Sequence, residues 1–135
     1  MSISRRYTSA DLERSPDVEG TRYEIVDGEL HASRQPRREH QHACHRAAYA
    51  PDRWNEQLDA GVVIPAPGLV FAEDQDVAPD VVWISRKRLA AAKDEAGDPR
   101  AAPELVVEVH SPGSANERRD REVKLALYSR QGIRE

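Results

Sequence analysis

The sequence predicts a single α/β domain, on three observations. Apolar runs rich in valine at 61–71, 77–84 and 105–109 have the length and β-branched content of strands. Stretches at 39–60, 86–93 and 117–130, rich in alanine or arginine, fall between or after those runs and read as helices. The length, 135 residues, is enough for one core and too short for two comfortable ones.

Hydrophobic residues make up 39% of the chain and charged residues 33%, which suits a globular domain with a modest core. Aromatics are only 5%, so Val, Leu, Ile and Ala must supply most of the burial. A formal charge of -4 gives no global positive field. Binding to nucleic acid would therefore rest on local basic patches. Three are visible: Arg34 with Arg37 and Arg38, Arg86-Lys87-Arg88, and Arg118-Arg119 with Arg121. Each also reads as an ordinary solvated run of charge. The one cysteine, Cys44, cannot form an intrachain disulfide, so a reducing, cytoplasmic setting is expected. The polar start of the chain lacks the apolar core of a signal peptide. No apolar stretch approaches the roughly 20 residues of a membrane span.

Residues 1–22 read as a polar lead-in, in which Asp11 can cap a short turn and Pro16 and Gly20 break it. The domain proper is expected over 23–135. Asp27-Gly28, set between short alternating runs, marks a hairpin, because a type I′ turn needs positive φ at both central residues. The helix at 39–60 contains Pro51, which removes a backbone donor and clashes with the preceding turn. The expectation is a helix in two pieces, or one starting near Pro51, with Trp54 and Leu58 as an apolar edge. Pro65 and Pro67 argue for an edge strand or a bend at 61–71. Glu73 to Asp76 reads as an acidic turn. Ser85 can cap a helix from Arg86 to about Lys93, followed by a polar loop to Pro103. The run 105–109 looks like a strand buried on both faces. Ser111 to Ser114 reads as a turn, Ser114 or Asn116 as the cap of the last helix, and Gly132 as the residue just past its end. Ile133-Arg134-Glu135 resembles the first residues of another strand.

Three residues carry the chemistry. Glu108 lies among Val106, Val107 and Val109, where an uncompensated carboxylate would cost several kcal/mol. A divalent metal, an arginine partner or an exposed edge-strand face would each relieve that cost. Asp80 follows Pro79 and opens the apolar run 81–84. It can point into the cleft of Glu108 or sit in a plain Pro-Asp turn. Two converging carboxylates can share a metal that activates water for phosphodiester hydrolysis. Lys124 lies in the helix after Glu108, where an ammonium can neutralise developing charge, or can pair at the surface with Asp120. Tyr128 is four residues on, on the same face. His40, His42 and His45 with Cys44 hint at zinc, but no second ligand pair appears elsewhere in the sequence.

The segments Tyr23-Glu-Ile-Val-Asp-Gly-Glu-Leu30, Arg38-Glu-His-Gln41, Val77-Ala-Pro-Asp-Val-Val-Trp-Ile-Ser85, Pro103-Glu-Leu-Val-Val-Glu-Val-His-Ser-Pro112 and Lys124-x-x-x-Tyr128 occur in order. Together they resemble the Uma-two family of restriction endonucleases, a branch of the PD-(D/E)xK nuclease superfamily. The resemblance implies a restriction-endonuclease-like core, with a mixed central sheet flanked by helices. It implies a Mg²⁺- or Mn²⁺-dependent endonuclease acting on DNA. Asp80 and Glu108 would be catalytic metal ligands, the backbone carbonyl of Val109 a further ligand, and Lys124 the catalytic lysine. In the superfamily pattern that lysine falls at position 110, which here is His110. Glu24, His40, His110 and Tyr128 are candidate accessory residues. The alternative is an inactive nuclease-fold module that binds nucleic acid or a protein partner. The chain is expected to lack carboxyl-terminal strands that the family has, which would expose a sheet edge to a second copy and permit a homodimer.

Overall fold

A computed structural model describes residues 5–16, 19, 21–34, 37–92, 102–110 and 115–135. In chain order the elements are α1 (Ser9–Arg14), β1 (Thr21–Val26), β2 (Glu29–Arg34), α2 (Arg38–Leu58), β3 (Gly61–Pro65), β4 (Leu69–Ala72), β5 (Gln75–Val77), β6 (Val81–Ser85), α3 (Arg86–Ala92), β7 (Leu105–Val107) and α4 (Ala115–Arg130). The α/β class read from the sequence is what the chain adopts. Among the described residues no helix is long and apolar enough to cross a membrane.

The strands form two antiparallel sheets, ordered β2-β1-β5-β4 and β3-β6-β7. The first is built on the expected hairpin. Asp27 (φ 50°) and Gly28 (φ 77°) both sit in the left-handed region that a type I′ turn requires. β3 and β4 lie at sheet edges, as Pro65 and Pro67 suggested, and Ala66 (φ 47°) makes the bend between them. Asp11 acts one turn later than a capping residue would. It is the third helical residue of α1, and its carboxylate accepts the Thr8 N–H at 2.9 Å.

α2 corrects the expectation of a broken helix: it runs unbroken through Pro51. A proline inside a helix costs about 3 kcal/mol, and anchors on both sides of it hold this one together. On the amino-terminal side His40 Nε2 lies 2.8 Å from the Val109 carbonyl. On the carboxyl-terminal side Asn55 grips Gly61 through both its amide groups, at 2.7 and 3.0 Å, and its Oδ1 accepts the Trp83 indole N–H. The residue this helix buries is Asn55, not an apolar one. Trp54 and Leu58 are more than half exposed, although the Trp54 ring meets Trp83 edge-on at 5.5 Å. Gly61 is required here, because an added Cβ would fall 2.4 Å from the Ile84 carbonyl oxygen.

β7 corrects a second expectation. It is three residues long and only half-buried, not a long strand sealed on both faces, and Glu108 stands just past its end. Its neighbour on one side is β6. On the other side the Val106 N–H donates to the Glu135 carbonyl (2.8 Å), and the Glu135 N–H donates to the Glu104 carbonyl (3.4 Å). Bonds that flank Leu105 in this way follow the parallel pattern. Residues 133–135 thus return after α4 to lie alongside β7 in the parallel sense. Gly132 (φ 77°) makes the turn out of α4, with its N–H on the Ser129 carbonyl and the Ile133 N–H on the Tyr128 carbonyl.

Ser85 caps α3 as expected, its Oγ accepting the Arg88 N–H at 3.3 Å. The loop expected at 94–103 lies outside the described residues up to position 101, as do the turn at 111–114 and its Ser114 cap. Asn116 is inside α4. The core gathers Val26, Leu69, Val77 and Val82 from both sheets against Leu127 and Tyr128 of α4. Each fully buried aliphatic side chain contributes about 1.5–3 kcal/mol. The contact of Leu127 and Tyr128 with both sheets fixes the rotation of α4, and so directs Lys124, one turn earlier, inward.

Candidate active site

Seven predicted residues meet in two adjoining clusters. The first surrounds Lys124, which is 5% exposed. The reading of a surface lysine is therefore excluded. Its ammonium lies 2.8 Å from Glu24 Oε2 and 3.0 Å from Glu108 Oε1. Glu24 reaches it from β1 and also accepts the Ala78 N–H at 2.9 Å. The Tyr128 hydroxyl donates to Glu108 Oε1 at 2.6 Å. Burial penalises the ammonium, but the carboxylates of Glu108 and Glu24 more than offset this and hold the Lys124 pKa above its ordinary 10.5. Burial also dominates at Glu108, lifting its pKa above 4.5 against the opposing pull of Lys124 and Tyr128.

The second cluster surrounds Asp80, which is 7% exposed. Its Oδ2 accepts the Val109 N–H at 2.8 Å and lies 3.4 Å from His40 Nε2, and its Oδ1 lies 3.5 Å from the Arg22 guanidinium. Cys44 Sγ is 3.4 Å from His40 Nδ1. The Cys44 thiol is pushed up to about 11, first by burial and then by the carboxylates of Asp80 and, more weakly, Glu108. Both acids are thus within electrostatic reach of one sulfur. The Val109 carbonyl, expected to face a metal, is taken by His40.

Glu108, Lys124 and Tyr128 also line a cavity of about 290 Å³, with exposed His110, Arg121 and Arg134 around it. Of the three basic runs, the one in α4 therefore contributes to this opening through Arg121. The run in α3 is partly neutralised, with Arg86 paired to Asp59 and Arg88 to Glu104. In the first run Arg38 is exposed and near Glu39, while the side chain of Arg34 lies outside the described residues.

Sequence reading missed Arg22, and it grouped Cys44 with His40, His42 and His45 but not with Asp80, though each had a signal. Arg22 is two residues before Glu24 on one strand and so shares its face. Cys44 is four residues after His40 on one helix and so stacks beside it.

A scan against protein families matches residues 9–135 to Uma2, described as "Putative restriction endonuclease". The chain belongs to the Uma2 family. Among solved structures it is similar to the crystal structure of "a putative nuclease belonging to DUF820" from Anabaena variabilis, at 16% identity and a TM-score of 0.66. That match covers 89% of this chain and 67% of the other. At this identity the likeness speaks for the restriction-endonuclease-like fold alone. No curated protein matches the sequence.

Proposed function

We propose that this Uma2 protein is a metal-dependent endonuclease that hydrolyses DNA phosphodiester bonds. The observation that carries the proposal is the buried Lys124 ammonium, held between Glu24 and Glu108 on the wall of a cavity bordered by cationic side chains. Burying a lysine is costly. The cost is understandable where a positive charge must be fixed for a phosphate.

Asp80 and Glu108 fit a hard divalent ion such as Mg²⁺ or Mn²⁺ in donor type. Among the described residues Glu108 uses Oε1 for both its hydrogen bonds, which leaves Oε2 for a ligand. When bound, such an ion lowers the pKa of water and polarises a phosphoryl oxygen. The protein's own groups do the rest. Arg121, Arg134 and His110 draw the phosphate backbone to the opening. Lys124 holds positive charge where negative charge develops on the phosphoryl oxygens. Glu24 and Tyr128 fix the positions of Lys124 and Glu108. Arg22 and His40 balance the charge of Asp80 and hold its orientation.

A second reading, a fold kept for binding without cleavage, draws on the full set of partners already around Asp80 and on the occupied Val109 carbonyl.

The test is nicking of supercoiled plasmid and cleavage of single-stranded DNA with Mg²⁺ or Mn²⁺, for the wild type, Asp80→Asn and Glu108→Gln. The expected result is metal-dependent cleavage by the wild type alone, with all three proteins folded. Equal activity in the three, or DNA binding with no cleavage under either ion, would overturn the catalytic reading.

A further inference from the structure

Cys44 takes no part in the proposed hydrolysis, yet it stands at the edge of that site with two good metal ligands beside it. His40, Cys44 and Asp80 each offer a ligand atom, and these atoms lie within 4.8 Å of one another. We propose that His40, Cys44 and Asp80 form a binding site for a thiophilic divalent cation of the zinc type, separate in ligand chemistry from the oxygen-only pair Asp80 and Glu108.

Three features support it. The first is spacing. A tetrahedral ion with Zn–S of about 2.3 Å and Zn–N and Zn–O of about 2.0–2.2 Å sets its ligands roughly 3.4–3.6 Å apart. The Cys44 Sγ to His40 Nδ1 distance is 3.4 Å, within that range.

The second feature is the orientation of the ring. The Val109 carbonyl can only accept, so the 2.8 Å contact from His40 Nε2 places a proton on that nitrogen. In the neutral ring the lone pair is then on Nδ1, the nitrogen that faces the sulfur. A ligating histidine that donates its other N–H to a backbone carbonyl is the usual outer support of a zinc site. Asp80 is fixed in the same way, through the Val109 N–H.

The third feature is rigidity. His40 and Cys44 are one turn apart on α2, and Asp80 leads into β6, which packs against that helix. On binding, the Cys44 thiol loses its proton to solvent and the thiolate becomes a ligand. No electron is transferred, and water fills the remaining position.

The test is cobalt(II) as a spectroscopic probe, followed by zinc competition, on the full chain stripped of metal. Cys44 is the chain's one cysteine, so thiolate-to-cobalt charge-transfer absorption can arise only there. The wild type should show that absorption, and zinc should abolish it. Cys44→Ala should lose it, and this variant keeps a strong helix former within α2. His40→Gln should weaken cobalt binding by at least about 10-fold, the cost of losing even an outer support. A His42→Gln/His45→Gln double variant should bind as the wild type does. Absence of the thiolate band in the wild type would overturn the proposal. So would loss of binding in the double variant but not in His40→Gln. Neither readout depends on cleavage, so the nuclease reading and this site can fail independently.

Discussion

Asp80 is a buried acid and Glu108 a partly buried one, and the protein stabilises them in different ways. Glu108 is held by side chains alone, an ammonium and a phenol, both from α4. Asp80 is held by one backbone N–H, with a histidine and an arginine at longer range, contributed by β7's end, α2 and β1. The first cluster depends on one cation placed between two carboxylates. The second spreads its compensation over three elements. A concentrated charge centre should therefore break at a single residue, whereas a distributed one should lose function before it loses fold.

The largest expected effect is on stability at Lys124. Lys124→Met leaves buried Glu24 and partly buried Glu108 without their cation and should cost about 3–5 kcal/mol, read by chemical denaturation. A loss below about 1 kcal/mol would mean the first cluster is not concentrated after all. Asp80→Asn keeps the shape of the second cluster. It should reduce cleavage on the order of 10²-fold or more, with a smaller loss of stability than Lys124→Met. Equal losses of stability would erase the contrast between the clusters. Tyr128→Phe removes one hydrogen bond to a charged group and should cost about 1.5–3 kcal/mol.

The smallest effect is on pH dependence. Because the folded pKa of Lys124 lies above 10.5, its contribution is fully present below that value and fades as pH rises through the folded value. Glu108, with a folded pKa above 4.5, contributes below its unfolded value and loses that contribution as pH rises through the folded one. Urea titrations should show an alkaline fall in stability that is absent in Lys124→Met, and an acid-side change that is absent in Glu108→Gln. Asp80→Asn should also speed alkylation of Cys44, because it removes a carboxylate that raises the thiol pKa.

The parts of the site legible in the sequence were acids or cations in surroundings where they would be costly without a reason. Glu108 among valines and Asp80 at the head of an apolar run are of that kind. Lys124 was legible through the spacing to Tyr128 and the family pattern. Arg22 was not, because an arginine is not costly where its local sequence places it, and Cys44 was legible as a neighbour of His40 but not as a neighbour of Asp80. Their roles come from the long-range packing of β1 and α2 around Asp80. The fold was legible at the Asp27-Gly28 hairpin and the Gly132 turn, where one backbone conformation suits the residues present. It was misread at Pro51, because local propensity carries no information about the Asn55–Gly61 and His40–Val109 anchors that hold the helix on either side. It was also misread at β7, where an apolar run of strand length proved only half-buried.

The peptide groups of Val109 have a practical consequence. This residue gives its N–H to Asp80 and its carbonyl to His40, while the residue before it gives its carboxylate to Lys124. One amide proton thus senses events at both acids. Its exchange with deuterated solvent, or its chemical shift, should respond to a cation arriving at either place, and would report occupancy without a cleavage assay.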